Sequence, residues 1–169
     1  MTAENGTIEV VELTVPTDVQ LILGQAHFIL TVESLFRAIA CGAPGSKFGL
    51  AFSEASGDRK VRTSGNDDEL KSLAAKHVMA IGSGHCFLVL LGGSFPVQVL
   101  NNIKSLPTVA NIFCASGNPV QTLVYRTSQG GAIIGVVDGE SPVGVENEED
   151  VAARQKLLQN FGYSEPMVD

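Results

Sequence analysis

Apolar and polar residues alternate along the chain with two different periods, which separate predicted strands from predicted helices. Eight segments read as strands: residues 8–15, 20–23, 47–53, 59–63, 85–91, 109–115, 120–126 and 132–137. Four segments read as helices: residues 31–42, 66–82, 95–105 and 147–161. This order predicts an α/β fold of the mixed α+β kind, in which one mixed sheet is flanked by helices. Because no repeat or linker interrupts it, we expect a single compact domain over residues 1–169.

The ends of the first two helices carry recognisable capping residues. Thr31 is expected to cap the first helix and Gly42 to end it. Asn66, followed three positions later by Glu69, resembles a capping box, and Gly82 is expected to close that second helix.

The strand over residues 47–53 has one face of small residues, formed by Gly49, Ala51 and Ser53. Such a face lets a second element of the fold, or a ligand, approach the backbone closely.

Composition excludes several classes of protein. Hydrophobic residues make up 44% of the chain and charged residues 17%, which excludes a disordered chain. The mean hydropathy of +0.21 is high for a small domain, so we expect part of the surface to be buried between subunits of a homo-oligomer. A net charge of −7 argues against nucleic acid and against anionic membranes as partners.

The three cysteines, Cys41, Cys86 and Cys114, include no CxxC pair, which argues against a disulfide framework or a zinc site. No apolar run reaches about 18 residues, so no membrane span is expected. Residues 1–6 contain no basic targeting segment. We therefore expect a cytoplasmic protein with reduced thiols.

Two histidines follow glycine-rich segments and are candidates for chemistry. His85 lies in GSGHCF, between a helix end and a buried strand, where it could bind phosphate, carry a proton or attack phosphorus. The alternative is a strand-start histidine bonded to a carbonyl group. His27 occupies a similar loop before the first helix, whereas His77 lies on the apolar stripe of its helix and is expected to be structural.

Other polar residues stand at strand ends or in turns. Asp138 could hold the hydroxyls of a ribose or form an ordinary Asp-Gly turn. Asn118 offers a donor and an acceptor to a purine edge, or begins a turn. Asn101 lies in a predicted helix, which favours a role for its side chain. Glu54, next to Ser53, could act as a base or remain a solvated turn acid.

Several known motifs are missing from the sequence. There is no GxxxxGK[ST], no GxGxxG between a strand and a helix, no HExxH and no GxSxG. We assign no metal site, and no cofactor follows from the residues.

Five segments together resemble the adenosine-specific kinase family of archaea and bacteria: residues 23–29 (LGQAHFI), 48–57 (FGLAFSEASG), 82–85 (GSGH), 95–101 (FPVQVLN) and 135–146 (GVVDGESPVGVE). The resemblance runs from about residue 8 to residue 163. It implies a homo-oligomer, expected to be a trimer, that binds adenosine or AMP. It also implies a histidine that carries a phosphoryl group, supplied by ATP or another donor with Mg²⁺.

Carried onto this chain, the resemblance implies roles for particular residues. His85 would carry the phosphate, with Glu54 or Asp138 orienting its ring. The resemblance adds Asn101, Asn118, Gly139 and Ser141 as ligand contacts, besides Ser53 and His27.

The chain departs from the family pattern at three places near these residues. Cys86 replaces an expected Thr, residues 116–118 (SGN) replace Thr-Ala-Asn, and Gly130-Gly131 lacks an expected arginine. Three interpretations remain at this point: a phosphotransferase acting through a histidine, a non-catalytic AMP or nucleoside sensor or carrier, and a structural protein whose glycines serve packing.

Overall fold

The structure is a computed structural model, and it describes residues 6–163. It contains eight strands: β1 (Thr7–Leu13), β2 (Val19–Ala26), β3 (Lys47–Ser53), β4 (Val61–Gly65), β5 (Cys86–Gly92), β6 (Val109–Ser116), β7 (Val120–Arg126) and β8 (Gly131–Asp138). It contains four α-helices: α1 (Thr31–Gly42), α2 (Asp68–Ile81), α3 (Leu100–Lys104) and α4 (Glu148–Asn160). The mixed α/β class predicted from the sequence is confirmed.

The chain forms two compact units, one ending at Gly139 and the other beginning at Glu140. The first unit holds the eight strands and the first three helices. The second holds α4, whose amino terminus is capped as predicted by Asn147 in a reciprocal pair of hydrogen bonds with Asp150. That residues 1–169 form a single domain remains a prediction. No helix within residues 6–163 has the length and apolar character needed to cross a lipid bilayer.

The strands form two antiparallel sheets, so the predicted single mixed sheet is wrong. The larger sheet has the order β4-β3-β5-β2-β6, and the smaller has the order β1-β7-β8. Helix α1 connects β2 to β3, and these two strands run parallel to each other. They are not neighbours, however, because β5 lies between them and runs antiparallel to both. The pairs β3–β4 and β2–β6 are also antiparallel, so all neighbouring strands of this sheet are antiparallel.

Both faces of the larger sheet are covered. One face packs on α1 and α3 through an apolar cluster that includes Phe52 and Leu35. The other packs on α2 and the smaller sheet through a cluster that includes Leu88 and Val124. Strand β5 lies at the centre of the sheet, and its residues from Cys86 to Leu91 are all buried, as expected for a continuous apolar run.

Three predicted details of the helices need correction. Asp67, not Asn66, caps α2, because its carboxylate accepts a hydrogen bond from the Leu70 N–H. Thr31 is the first helical residue of α1 rather than its cap. The helix predicted over residues 95–105 is instead a short 3₁₀ turn at Pro96–Gln98 followed by α3.

Two other helix predictions hold. Gly82 ends α2 in the left-handed conformation, with φ 58°. His77 is buried in the core, where its Nε2 lies 2.8 Å from the carbonyl oxygen of Thr14.

Candidate functional site

Four of the predicted site residues lie at one edge of the larger sheet, where β2 and β3 end and β5 begins. The N–H of His85 donates to the carbonyl of Ser53 over 2.8 Å, and the carbonyl of His85 accepts from the N–H of Ala26 over 2.9 Å. These two bonds place His85 between the ends of β2 and β3. His27 and Glu54 are the next residues along those two chain segments, and we call this region the His85 edge.

The backbone of His85 is held in the left-handed region, with φ 60°, which is uncommon for a residue other than glycine. Its ring stacks on the buried Phe52, with ring centroids 5.9 Å apart and planes 7° apart. No hydrogen bond to either ring nitrogen of His85 is found within residues 6–163. The ring is therefore oriented by its backbone and by Phe52 rather than by hydrogen bonds to its nitrogens.

The carboxylate of Glu54, one of the two groups expected to orient the imidazole, is paired with Arg62 instead of with the ring of His85. Its Oε1 accepts from Nη1 of Arg62 over 3.1 Å, and Nη2 of the same guanidinium donates to Glu33 over 2.7 Å. Arg62 also donates to the carbonyl of Ile29 over 2.7 Å, so it joins the end of β3 to the loop before α1. Sequence reasoning missed Arg62 and Glu33, because neither belongs to a motif and only the pairing of β3 with β4 brings Arg62 to this edge.

A cavity of about 910 Å³ adjoins this edge on the side facing α2. Ser53, Glu54 and Gly84 form one wall, the end of α2 forms a second, and the turn between β7 and β8 forms a third. The small face predicted for β3 thus serves two purposes. Gly49 and Ala51 pack closely within the fold, while Ser53 faces the cavity.

Two N–H groups at the glycine-rich segment that leads to His85 are already bonded within the chain. The N–H of Gly82 caps α2 at the carbonyl of Val78, and the N–H of His85 is used by Ser53. The carboxyl end of a helix also carries a partial negative charge that disfavours anions. Here Arg126 reduces that effect by donating to the carbonyls of Ala80 and Ile81.

The other predicted polar residues form a separate cluster, which we call the Asp138 cluster. Oδ1 of Asp138 accepts from the hydroxyl of Ser116 over 2.5 Å and from Nδ2 of Asn118 over 3.1 Å. The hydroxyl of Ser116 in turn accepts from the N–H of Asn118 over 2.9 Å. Burial raises the pKa of the neighbouring Cys114 to about 11, and the charge of Asp138 adds to this rise.

The two regions lie at opposite ends of β2. Leu21 pairs with Ser116, whereas Gln25 pairs with Cys86. Four residues of strand span about 13 Å, so within one chain Asp138 cannot orient the ring of His85. The predicted site residues therefore fall into two separate regions within one chain.

Three further predicted ligand contacts belong to different parts of the chain. Asn101 is exposed on α3. Gly139 adjoins the Asp138 cluster, where an added Cβ would lie 3.1 Å from Nδ2 of Asn118. The N–H of Gly139 is bonded to the carbonyl of Pro119 over 2.9 Å, so it is not a free donor within this chain. Ser141 lies exposed in the second compact unit. No group of three or more metal-binding side chains is found among residues 6–163.

Comparison with known proteins agrees with this architecture. The family model described as adenosine specific kinase matches residues 11–164. The crystal structure of the PH1918 protein from Pyrococcus horikoshii OT3 is similar, with a TM-score of 0.90 and 43% sequence identity over 95% of this chain and 99% of that chain. No curated protein matches the chain significantly.

Proposed function

Because the chain belongs to the adenosine-specific kinase family, we propose that it binds adenosine or AMP at the His85 edge and transfers a phosphoryl group through His85. The observation that carries this proposal is the ring of His85. It is oriented by Phe52 and by a constrained backbone, and its nitrogens carry no hydrogen bond within residues 6–163. A nucleophile needs both a defined orientation and an open lone pair.

The reaction has two displacements at one phosphorus atom. A ring nitrogen of His85 attacks the terminal phosphorus of ATP or a similar donor with Mg²⁺; the N–P bond forms as the P–O bond to the β-phosphate breaks, and ADP leaves. The 5′-hydroxyl of adenosine then attacks this phosphorus, and the N–P bond breaks. The hydroxyl proton passes to Glu54, whose Oε1 is held by Arg62. AMP leaves and the neutral imidazole is restored.

The Asp138 cluster enters this proposal through a second copy of the chain. The Asp138 cluster and the His85 edge are separated by about 13 Å, measured along β2. The cluster therefore does not reach a nucleoside at the His85 edge of the same chain. A homo-oligomer, for which the family resemblance suggests a trimer, would bring Asp138 and Asn118 of one copy to His85 of another. In that arrangement Asp138 would bind the ribose hydroxyls.

A non-catalytic AMP or nucleoside sensor or carrier is the alternative function. It is favoured by the missing ATP-binding motif and by the N–H groups of Gly82 and His85, which are already bonded within the chain. In this case adenosine or AMP would bind without turnover.

Labelled ATP separates the two functions. The purified protein is incubated with Mg²⁺ and ATP labelled at the terminal phosphate, with and without adenosine. We expect acid-labile label on the protein and labelled AMP once adenosine is added. His85→Asn should abolish both signals without disturbing the backbone, since Asn tolerates the left-handed conformation.

Glu54→Gln should retain the labelled protein but slow AMP formation by about 100-fold or more. If nucleoside binds without any label transfer, the sensor interpretation replaces the kinase. If the native protein binds no nucleoside at all, the proposal fails in both forms.

A further inference from the structure

The loop between β2 and α1, residues 27–30, exposes three large apolar side chains in succession. Phe28 is 60% exposed, Ile29 is 68% exposed and Leu30 is 53% exposed. Isolated exposed apolar residues are common, but a contiguous group of them marks a binding surface. We call this segment the Phe28 loop.

Hydrogen bonds to its backbone atoms hold the Phe28 loop in one conformation. The buried hydroxyl of Thr31 donates to the carbonyls of His27 and Phe28, over 3.0 and 2.8 Å. The N–H of His27 donates to Thr108 over 2.8 Å. Together with the bond from Arg62 to the carbonyl of Ile29, these contacts order a loop whose side chains face solvent.

Phe28 has an unfavourable backbone conformation that these contacts maintain. Its φ is 84°, in the left-handed region that residues with a Cβ atom rarely occupy. Within residues 6–163 the non-glycine residues with positive φ are Phe28, Arg59 and His85. Such conformations persist where the surrounding structure enforces them, and they are concentrated at functional sites.

Phe28 and His85 are neighbours at the same edge of the larger sheet. The N–H of Ala26 donates to the carbonyl of His85, and Phe28 follows two residues later, which is at most about 7 Å of chain. The ring of His85 stacks on Phe52, which belongs to the apolar cluster beneath α1. The Phe28 loop leads into α1, which packs on that same face of the sheet.

We infer that Phe28 stacks on the purine base of the nucleoside whose 5′ end lies at His85. This rests on the proposed function and adds a specificity-determining residue to it. An exposed ring that is already ordered offers a flat apolar surface at little further entropic cost. Phe28 would thus distinguish nucleosides from ribose phosphates, which lack a base.

Calorimetric titration of the full chain with adenosine, AMP and ribose 5-phosphate tests this assignment. Stacking of a base on an aromatic side chain contributes roughly 1–3 kcal/mol, so Phe28→Leu should weaken adenosine and AMP binding by about 5- to 140-fold. Phe28→Tyr retains the ring and should bind as the wild type does. Ile8→Ala removes a similarly exposed apolar side chain from β1, outside the Phe28 loop, and should leave the affinities near the wild-type values.

Three results would overturn the assignment while leaving the proposed function intact. Phe28→Leu could bind adenosine as the wild type does. It could weaken ribose 5-phosphate as much as adenosine, which would indicate a general disturbance of the site. It could also change the oligomeric state in sedimentation with unchanged affinities, which would make the Phe28 loop a contact between copies. If the native wild type binds no nucleoside, the proposed function fails, and the role of Phe28 fails with it.

Discussion

Replacing Gly49 with alanine tests the close contact between β3 and α2. A Cβ atom on Gly49 would lie 2.2 Å from the backbone nitrogen of Lys71 and 2.3 Å from the carbonyl carbon of Leu70. Ordinary contacts begin at 3.4 Å, so the first turn of α2 would have to withdraw by about 1.2 Å. The obstructing atoms are backbone, so no change of side-chain rotamer can relieve the overlap.

Overpacking of this kind costs about 1–3 kcal/mol in the free energy of unfolding. We expect Gly49→Ala to lie in the upper half of that range, at about 2–3 kcal/mol, because the withdrawal would also loosen the contacts of Ala74 and Val78. For a chain of this size, each kcal/mol lowers the melting temperature by about 2–4 °C. The variant should therefore melt about 4–12 °C below the wild type.

Urea unfolding followed by circular dichroism measures this effect, and Gly135→Ala is the matched control. Gly135 also lies in a strand, but the nearest atom to its added Cβ would be Cδ1 of Leu123 at 3.9 Å, an ordinary contact. We expect Gly135→Ala to be neutral or to stabilise the fold by about 0.4–1 kcal/mol. The reasoning would be refuted if the free energy of unfolding of Gly49→Ala lay within about 0.5 kcal/mol of the wild-type value. It would also be refuted if both variants lost the same free energy of unfolding.

Two further predictions concern titratable side chains. Burial lowers the pKa of His77, so the neutral form is favoured in the folded protein. The contribution of His77 to the free energy of unfolding should then be constant above about pH 6.5. Below that pH the free energy of unfolding should fall, because His77 takes up a proton more readily in the unfolded chain than in the folded one. Urea unfolding between pH 7.5 and 5 measures this slope, which His77→Gln should reduce; an unchanged slope would contradict the assignment. Burial raises the pKa of Cys86 to about 12, whereas Cys41 is exposed. Peptide mapping after brief treatment with a thiol reagent should therefore find Cys41 modified and Cys86 unmodified until the protein is unfolded, and rapid labelling of Cys86 would contradict its burial.

Strand ends show where local sequence signals reach their limit. The sequence predicts a second strand over residues 20–23 that stops before Gly24, but β2 continues to Ala26. The pairing of β2 with β6 shifts register between Leu23 and Gly24, so the glycine lies at an irregularity within the strand. A Cβ atom there would lie 2.3 Å from the ring of Phe87 on the neighbouring strand. The glycine is needed for cross-strand packing, which is not visible in the residues on either side of it.

In the candidate site, some residues have a local sequence signal and others are brought in only by strand pairing. Local motifs marked His27, Ser53, Glu54 and His85 as candidates, and the structure brings them to one edge. They meet because β5 lies between β2 and β3. Arg62 has no local signal, and its role at the edge depends entirely on the pairing of β4 with β3.

Most helices and strands and several of their ends follow from the sequence alone, because they depend on the period of apolar residues and on hydrogen bonds within a few positions; residues 95–105 are the exception. The sequence also supplied the motifs that carry the family resemblance. Only the tertiary structure decided that the strands form two antiparallel sheets and that Asp138 lies about 13 Å along β2 from the His85 edge. Sheet order and register arise from contacts between residues far apart in the chain, and many pairings satisfy the same local pattern until the whole core is packed.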